Sequence, residues 1–492
     1  MKKILLLVLC ALMLLTTVCG CASGSETIVT TADDDTTVPA DDTLGTSDST
    51  TAPVEEDILD SLGERDFGGR VFTILDANDY PEMHINMPGK EMRGDTIEDA
   101  IYLRDAAIED RYRCEIEYVQ ITNATNGITS LTNSYHAGDK SYDICISTVS
   151  GGRLATLATQ GILANLCDIE ALSLQANWWS KLIYENCRLA DKMYFTTGDI
   201  APAMYDAPAC TILNRRLLDE NQITTDFYQL VRDGLWTVDE LMAVTKDADR
   251  DLNNDGIMHA DHDFFGLIYQ NNSLCSSMMM VGCGVSLCNV QNDEIIVDLN
   301  NERTMNVTEK LAELTNEVKY NDQQDTIRKA FKEDRVLAAI HVLESPKYNL
   351  RDMESDYIIL PMPKYDTEQA EYRSMVSGWV DCFVGIPNNV DTAEVGFFAE
   401  ALARESYRTV RPQTYELVFK LKGVREEGSS EMIDVIFNSL YLDFCEIYNF
   451  GDMPSVMQQV IFRDASFAST VSARKNLLEK TINKFVNSWI GE

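Results

Sequence analysis

Between Arg70 and Ser150 the chain repeats a pattern that few folds accommodate: a short apolar run, a stretch with helical period, then another short run. Arg70 to Leu75 (Arg-Val-Phe-Thr-Ile-Leu) predicts a first strand. Asp95 stands at an N-cap position, and Ile97, Ala100, Ile101, Ile108 and Tyr112 then share one helical face. Glu115 to Val119 predicts a second strand, and Tyr142 to Ser147 a third, followed by the turn-forming Ser150-Gly151-Gly152. Strand, helix, strand, helix, strand calls for an α/β fold with a parallel sheet. In such sheets ligands lie beyond the carboxyl ends of the strands, so Ser147 and Thr148 are the first candidate site residues.

Further along, a strand-like run from Ala207 to Leu213 leads into Asn214-Arg215-Arg216-Leu217-Leu218. Thr237-Val238-Asp239-Glu240, just after Trp236, is a capping box that opens a helix. Tyr357 to Leu360 and Cys382 to Ile386 again predict buried strands, and the tail from about Ser429 to Trp489 is helical. Strands that cluster early and return near residue 380 predict two lobes, with the chain crossing between them more than once. A length of 492 residues suits that division.

The chain opens with Met1-Lys2-Lys3 and runs apolar from Ile4 to Leu15, too short for a spanning helix and suited to a signal peptide over residues 1–20. Val18-Cys19-Gly20-Cys21 resembles the lipobox of bacterial lipoproteins, which implies lipidation of Cys21. From Ala22 to Asp57 the composition is Thr, Ser, Asp and Ala with almost nothing to bury, so residues 21–65 read as the lipidated cysteine and a disordered acidic linker. Roughly 40 such residues span about 35 Å. The expected location is therefore the outer face of the cytoplasmic membrane, with a folded body over residues 66–492 held by a lipid anchor.

A formal net charge of -38 argues against nucleic acid and against docking on anionic lipid head groups. Ten cysteines follow Cys21 without a CxxC pair or a regular framework. Several, such as Cys145, sit inside apolar runs and read as small buried hydrophobes. So many free thiols in an exported chain suggest an anaerobic habitat. One disulfide among Cys275, Cys283 and Cys288 stays open, while their spacing matches no standard zinc pattern.

Several segments, taken in order, resemble the extracellular solute-binding proteins of ABC importers, the carbohydrate-type family 1 common in Gram-positive bacteria. The carriers are Tyr142-Asp143-Ile144, Gly161-Ile162-Leu163-Ala164-Asn165-Leu166, Asn177-Trp178-Trp179, Gly198-Asp199 and Ile212-Leu213-Asn214. Gly234-Leu235-Trp236-Thr237-Val238-Asp239-Glu240-Leu241, Phe265-Gly266-Leu267 and Leu360-Pro361-Met362-Pro363-Lys364 continue the series. The resemblance implies a two-lobed periplasmic-binding-protein-like fold of type II with hinge strands between the lobes. It places lobe 1 at about 66–205 plus 370–405, and lobe 2 at about 210–365 plus part of the helical C-terminal region. It also implies a monomeric receptor that catalyses nothing, requires no cofactor, captures a small solute such as a sugar or oligosaccharide, and delivers it to ABC permease subunits. The chain has no Gly-x-x-x-x-Gly-Lys-Ser/Thr loop of its own.

By the same resemblance Trp379 faces the cleft, and Tyr205-Asp206 occupies the first crossing, where a carboxylate accepts hydrogen bonds from sugar hydroxyls. Tyr269, Asn271 and Asn272 belong to the second lobe's cleft loop, whose amides both donate and accept, and Glu344 ends the next one, from His341. Trp178 offers a stacking platform, with one of Trp178 and Trp179 expected in the core. Asp251-Leu252-Asn253-Asn254-Asp255-Gly256 matches the first half of an EF-hand-type loop. The candidate calcium ligands are Asp251, Asn253, Asp255, the Ile257 carbonyl, and Asp261 or Asp263, for a structural ion. His262 stands where the closing Glu belongs, and an Asx-rich turn explains the same residues. His259 and His262 with their acidic neighbours also admit a transition-metal site or a plain polar loop. A secreted carbohydrate-active hydrolase and a sensor or adhesion lipoprotein remain the alternatives. No Gly-x-Ser-x-Gly or His-Glu-x-x-His motif selects the first of these.

Overall fold

The computed structural model describes residues 58–490 apart from 93, 95, 298, 317–323 and 420–426. Cys21, the signal segment, the linker through Asp57 and the cap at Asp95 lie outside the described residues. The folded body begins before residue 66, which corrects the linker boundary at 65. Leu59 is buried, and Arg404 donates to the Ile58 carbonyl at 3.1 Å and the Ser61 hydroxyl at 2.6 Å.

In the first lobe β1 (Arg70–Asn78) pairs in parallel with both β2 (Cys114–Thr122) and β3 (Ile144–Thr148). β3 and most of β1 are buried, as continuous apolar runs in a covered parallel sheet must be. β2 lies at the edge and alternates, with Glu115 and Glu117 exposed. The helices Thr96–Tyr112 and Ala124–Ala137 connect these strands. The first packs on the long helix Thr392–Phe419 through Ile97, Ala100, Ile101 and Val410.

The second lobe is built on β8 (Val336–Val342), buried throughout. Its neighbours are β4 (Ala209–Asn214), antiparallel, and β5 (Phe265–Ile268), parallel. β9 (Tyr357–Leu360) completes the order 5-8-4-9, and β6 (Asn289–Gln291) with β7 (Glu294–Ile296) forms a separate hairpin. Gly266 on β5 has a reason to lack a side chain, since a Cβ there would overlap the Thr245 carbonyl. Thr237 caps the helix Val238–Thr245 as its spacing predicts.

Three passages of chain run side by side between the lobes. The first leads through Pro208 into β4, and Pro208 bridges to Val376. The second contains β10 (Ser374–Met375) and returns to the first lobe as β11 (Cys382–Gly385), antiparallel to β3. The third contains β12 (Leu440–Tyr441), paired with β10. The helices after it pack on both lobes: Phe444–Tyr448 meets the turn Ser150–Gly152, while Met453–Phe462 meets Ser273–Gly282. Among the described residues no helix is long and apolar enough to cross a membrane.

All ten described cysteines are free, including Cys275, Cys283 and Cys288, so the disulfide left open there is not formed. Nine of the ten are buried, and burial pushes the Cys145 thiol up to about 12, as expected of a cysteine packed as a small hydrophobe.

Candidate binding site between the lobes

A cavity of about 380 Å³ opens where the two lobes face each other, within the size range of small-molecule sites. The first lobe supplies Tyr80, Met83 and His84 from the segment after β1. The second crossing supplies Ser377, Trp379 and Val380. From the second lobe come Gln270 and Asn272 after β5, then Leu274, Cys275 and Met278 on the helix Ser273–Gly282. The end of β8 adds Ile340, His341, Val342 and Glu344, and Arg328 reaches in from the helix Gln324–Lys332. The parallel strands β1, β5 and β8 therefore all deliver their carboxyl ends to one space.

Glu344 ties the lobes together. One carboxylate oxygen meets His84 Nε2 at 2.9 Å, and the other accepts from Arg328 at 3.0 Å. The other ring nitrogen of His84 faces Asn78 Oδ1 at 3.1 Å, so both ring nitrogens meet oxygen acceptors. Burial pushes the Glu344 carboxyl up, but the His84 hydrogen bond and charge, with the Arg328 guanidinium, outweigh it and hold the group below its ordinary value.

Trp379 lines the cavity with 40% of its surface open, whereas Trp179, Trp236 and Trp489 are buried. The Arg153 guanidinium lies 5.2 Å from the Trp379 ring centre, a cation–π contact. Arg153 is itself fixed by Thr148 Oγ1 at 2.6 Å and Asp79 at 2.9 Å. Thr148 thus touches the site through Arg153, while Ser147 Oγ turns to the Thr148 carbonyl and lines nothing.

Of the predicted site residues, the structure brings together Trp379, Glu344 and Asn272. Asn272 also caps the helix Ser273–Gly282, accepting from Cys275 N at 2.8 Å. The others stand elsewhere. Trp178 Nε1 donates to Glu400 at 3.0 Å and Trp179 Nε1 to the same carboxylate at 2.8 Å, so the pair clamps the helix Thr392–Phe419 and lies outside the cavity lining. Tyr269 is buried, stacks on Phe462 and donates to the Thr315 carbonyl at 3.1 Å. Asn271 accepts from Gln458. Tyr205 donates to Asp199 among Tyr415 and Phe437. Asp206 is buried on Lys347, at 2.8 and 2.7 Å, one layer behind Glu344, whose backbone N–H it receives. These side chains lock the walls and the crossing, and none of them lines the cavity.

Tyr80, His84 and Arg328 had no marker in the sequence. The strand-end rule points to the segment after β1 as much as to that after β3, but only geometry shows which side chains turn inward.

In the acidic loop Asp251 accepts from the N–H groups of Asn254 and Gly256, Asp255 from Ile257, and Asp263 from Leu252 and His259. Asn253 accepts from Asp255 N, and Asp261 lies near Lys329 and His259. The loop closes on its own backbone as a chain of Asx turns. Among the described residues no group of three or more His, Cys, Asp or Glu side chains gathers as a metal site.

No family model and no curated relative matches the chain by sequence. Solved structures do match by fold. A cyclo/maltodextrin-binding protein complexed with maltotetraose aligns at a TM-score of 0.56 and 14% identity, covering 84% of this chain and 97% of that one. An ABC transporter solute-binding protein from Thermotoga lettingae, bound with α-D-tagatose, aligns at 0.56 and 15%, covering 84% and 100%. The galacto-N-biose-/lacto-N-biose I-binding protein of the ABC transporter from Bifidobacterium longum, in complex with lacto-N-biose, aligns at 0.56 and 12%, covering 85% and 98%. At these identities the likeness is one of architecture, and this chain has the two-lobed, periplasmic-binding-protein-like fold.

Proposed function

We propose that this protein is a lipid-anchored extracellular receptor that captures a sugar or oligosaccharide between its lobes and delivers it to an ABC permease. The observation that carries the reading is the interlobe cavity, whose lining combines the open indole of Trp379 with Gln270, Asn272 and His341. An aromatic face suits the apolar face of a pyranose, and amides that both donate and accept suit its hydroxyls. The similar structures described above were determined with sugars bound, which favours this solute class. Cys21 in its lipobox supports the anchor, and the acidic segment after it gives reach to a monomeric body. Ten free thiols fit an anaerobic habitat.

The reading is of a receptor and not a hydrolase. Two-carboxylate glycoside hydrolysis places its carboxyl groups about 5–9.5 Å apart across the scissile bond. The cavity lining contributes one carboxylate, Glu344, already held by His84 and Arg328.

A thermal-shift screen against neutral and acidic mono- and oligosaccharides tests the proposal, with product analysis on any sugar that binds. A cognate sugar at 100 times its Kd stabilises the fold by about 2.7 kcal/mol, a shift of a few degrees. The expected result is such a shift without cleavage. Glycan cleavage, or no shift with any sugar, overturns the assignment.

A further inference from the structure

Among the described residues the acids and bases around the cavity are paired. Arg328 and the His84 ring share Glu344, Arg153 meets Asp79, and Lys347 behind the wall meets Asp206. His341 differs. It lies near the end of β8, lines the cavity, and is only 7% exposed, yet among the described residues neither Nδ1 nor Nε2 makes a hydrogen bond of good geometry, the neighbouring Val342 backbone offering only an electrostatic contact. A buried polar group left unsatisfied costs about 1–3 kcal/mol. Other buried polar atoms in the protein also lack partners, but His341 has both ring nitrogens unpaired on the wall of the cavity, where a bound molecule can supply the partners.

We propose that His341 is the second lobe's ligand-binding side chain, and that its ring donates one N–H and accepts at the other nitrogen from hydroxyls of an uncharged sugar. The inference rests on the receptor reading above and narrows its solute class. Burial and the nearby Arg328 guanidinium push the His341 imidazole down to about 4, so at neutral pH the ring is uncharged, with one donor and one acceptor. A hydroxyl pair is complementary to that ring. A uronate carboxylate only accepts, and it would enter a cavity whose guanidinium, Arg328, already pairs with Glu344.

The test compares wild type with His341→Leu and His341→Gln by thermal unfolding and by calorimetric titration. The probes are a panel of neutral sugars that includes maltotriose, lacto-N-biose and tagatose, with digalacturonate as the acidic probe. Leucine removes the unsatisfied nitrogens without emptying the site, so the free His341→Leu protein unfolds at the wild-type temperature or higher, while its affinity for the neutral sugar falls about tenfold or more. Glutamine restores one donor and one acceptor and recovers most of that loss. The proposal is overturned if His341→Leu binds the neutral sugar as tightly as wild type, if it unfolds several degrees lower, or if digalacturonate outbinds the neutral panel. If no sugar binds the wild-type protein, the receptor reading falls and this inference with it. Binding that His341→Leu leaves intact removes this inference alone.

Discussion

Trp178 and Trp379 are alike in the sequence, each an aromatic preceded by a small or polar residue, Asn177 or Gly378, and the fold gives them different tasks. Trp178 turns its indole N–H to Glu400, while Trp379 stays open to the cavity beside Arg153. Which way an aromatic points depends on a partner more than 200 positions away, and local spacing carries no trace of it. Asp381 is buried and accepts from Thr197 Oγ1 at 3.0 Å, and burial pushes its carboxyl up to about 8. A folded-state value above the unfolded one means that the native state holds a proton the unfolded chain releases. The resulting stability is fully present below about pH 4 and is lost as the pH rises through about 8. Glu446, pushed to about 7 by burial first and by Asp443 second, acts in the same sense. Asp381→Asn keeps an acceptor for Thr197 and removes the titration. It should raise stability at pH 8 by on the order of 2 kcal/mol, with much less effect at pH 5, in unfolding curves taken at both pH values. Equal gains at both pH values would contradict the assignment.

At the scale of elements the sequence was most legible where burial is continuous. The first, second and third strands fall where apolar runs place them, and the structure extends the first two to nine residues each. Asn272, Glu344 and Trp379, which the resemblance placed at the cleft, line the cavity, whereas Ser147 and Thr148 at the end of the third strand do not. What the runs do not encode is how one element is pinned to another. The indoles of Trp178 and Trp179 and the guanidinium of Arg404 all converge on Glu400, which is fully buried on the helix Thr392–Phe419. Removing that carboxylate leaves two indole N–H groups and a guanidinium without their acceptor. Glu400→Ala should therefore cost about 3–5 kcal/mol in urea unfolding. Trp178→Phe should lower stability by about 1 kcal/mol for the lost hydrogen bond, yet leave sugar affinity unchanged in a binding titration. A marked loss of affinity in Trp178→Phe would return that residue to the binding site.

At the scale of the molecule the early sheet and the returning strand near residue 380 made two lobes legible, because both lie in continuous apolar runs. The pairing of three crossings through Pro208, Val376 and β12 was not legible, since two-residue bridges have no period to read. Nor was the join at the floor of the cleft, where His84 of one lobe reaches Glu344 of the other across 260 positions. In a fold of this kind a bound solute stabilises the closed arrangement by its contacts with both walls. The central claim is that an uncharged sugar occupies the interlobe cavity against Trp379. It is tested most directly by calorimetric titration of the sugar that gives the largest thermal shift into wild type and Trp379→Ala at neutral pH. One site per wild-type molecule is expected, with an affinity at least about tenfold weaker in the variant, for loss of the stacked face. Equal affinity in the two proteins, with both still folded, would contradict it.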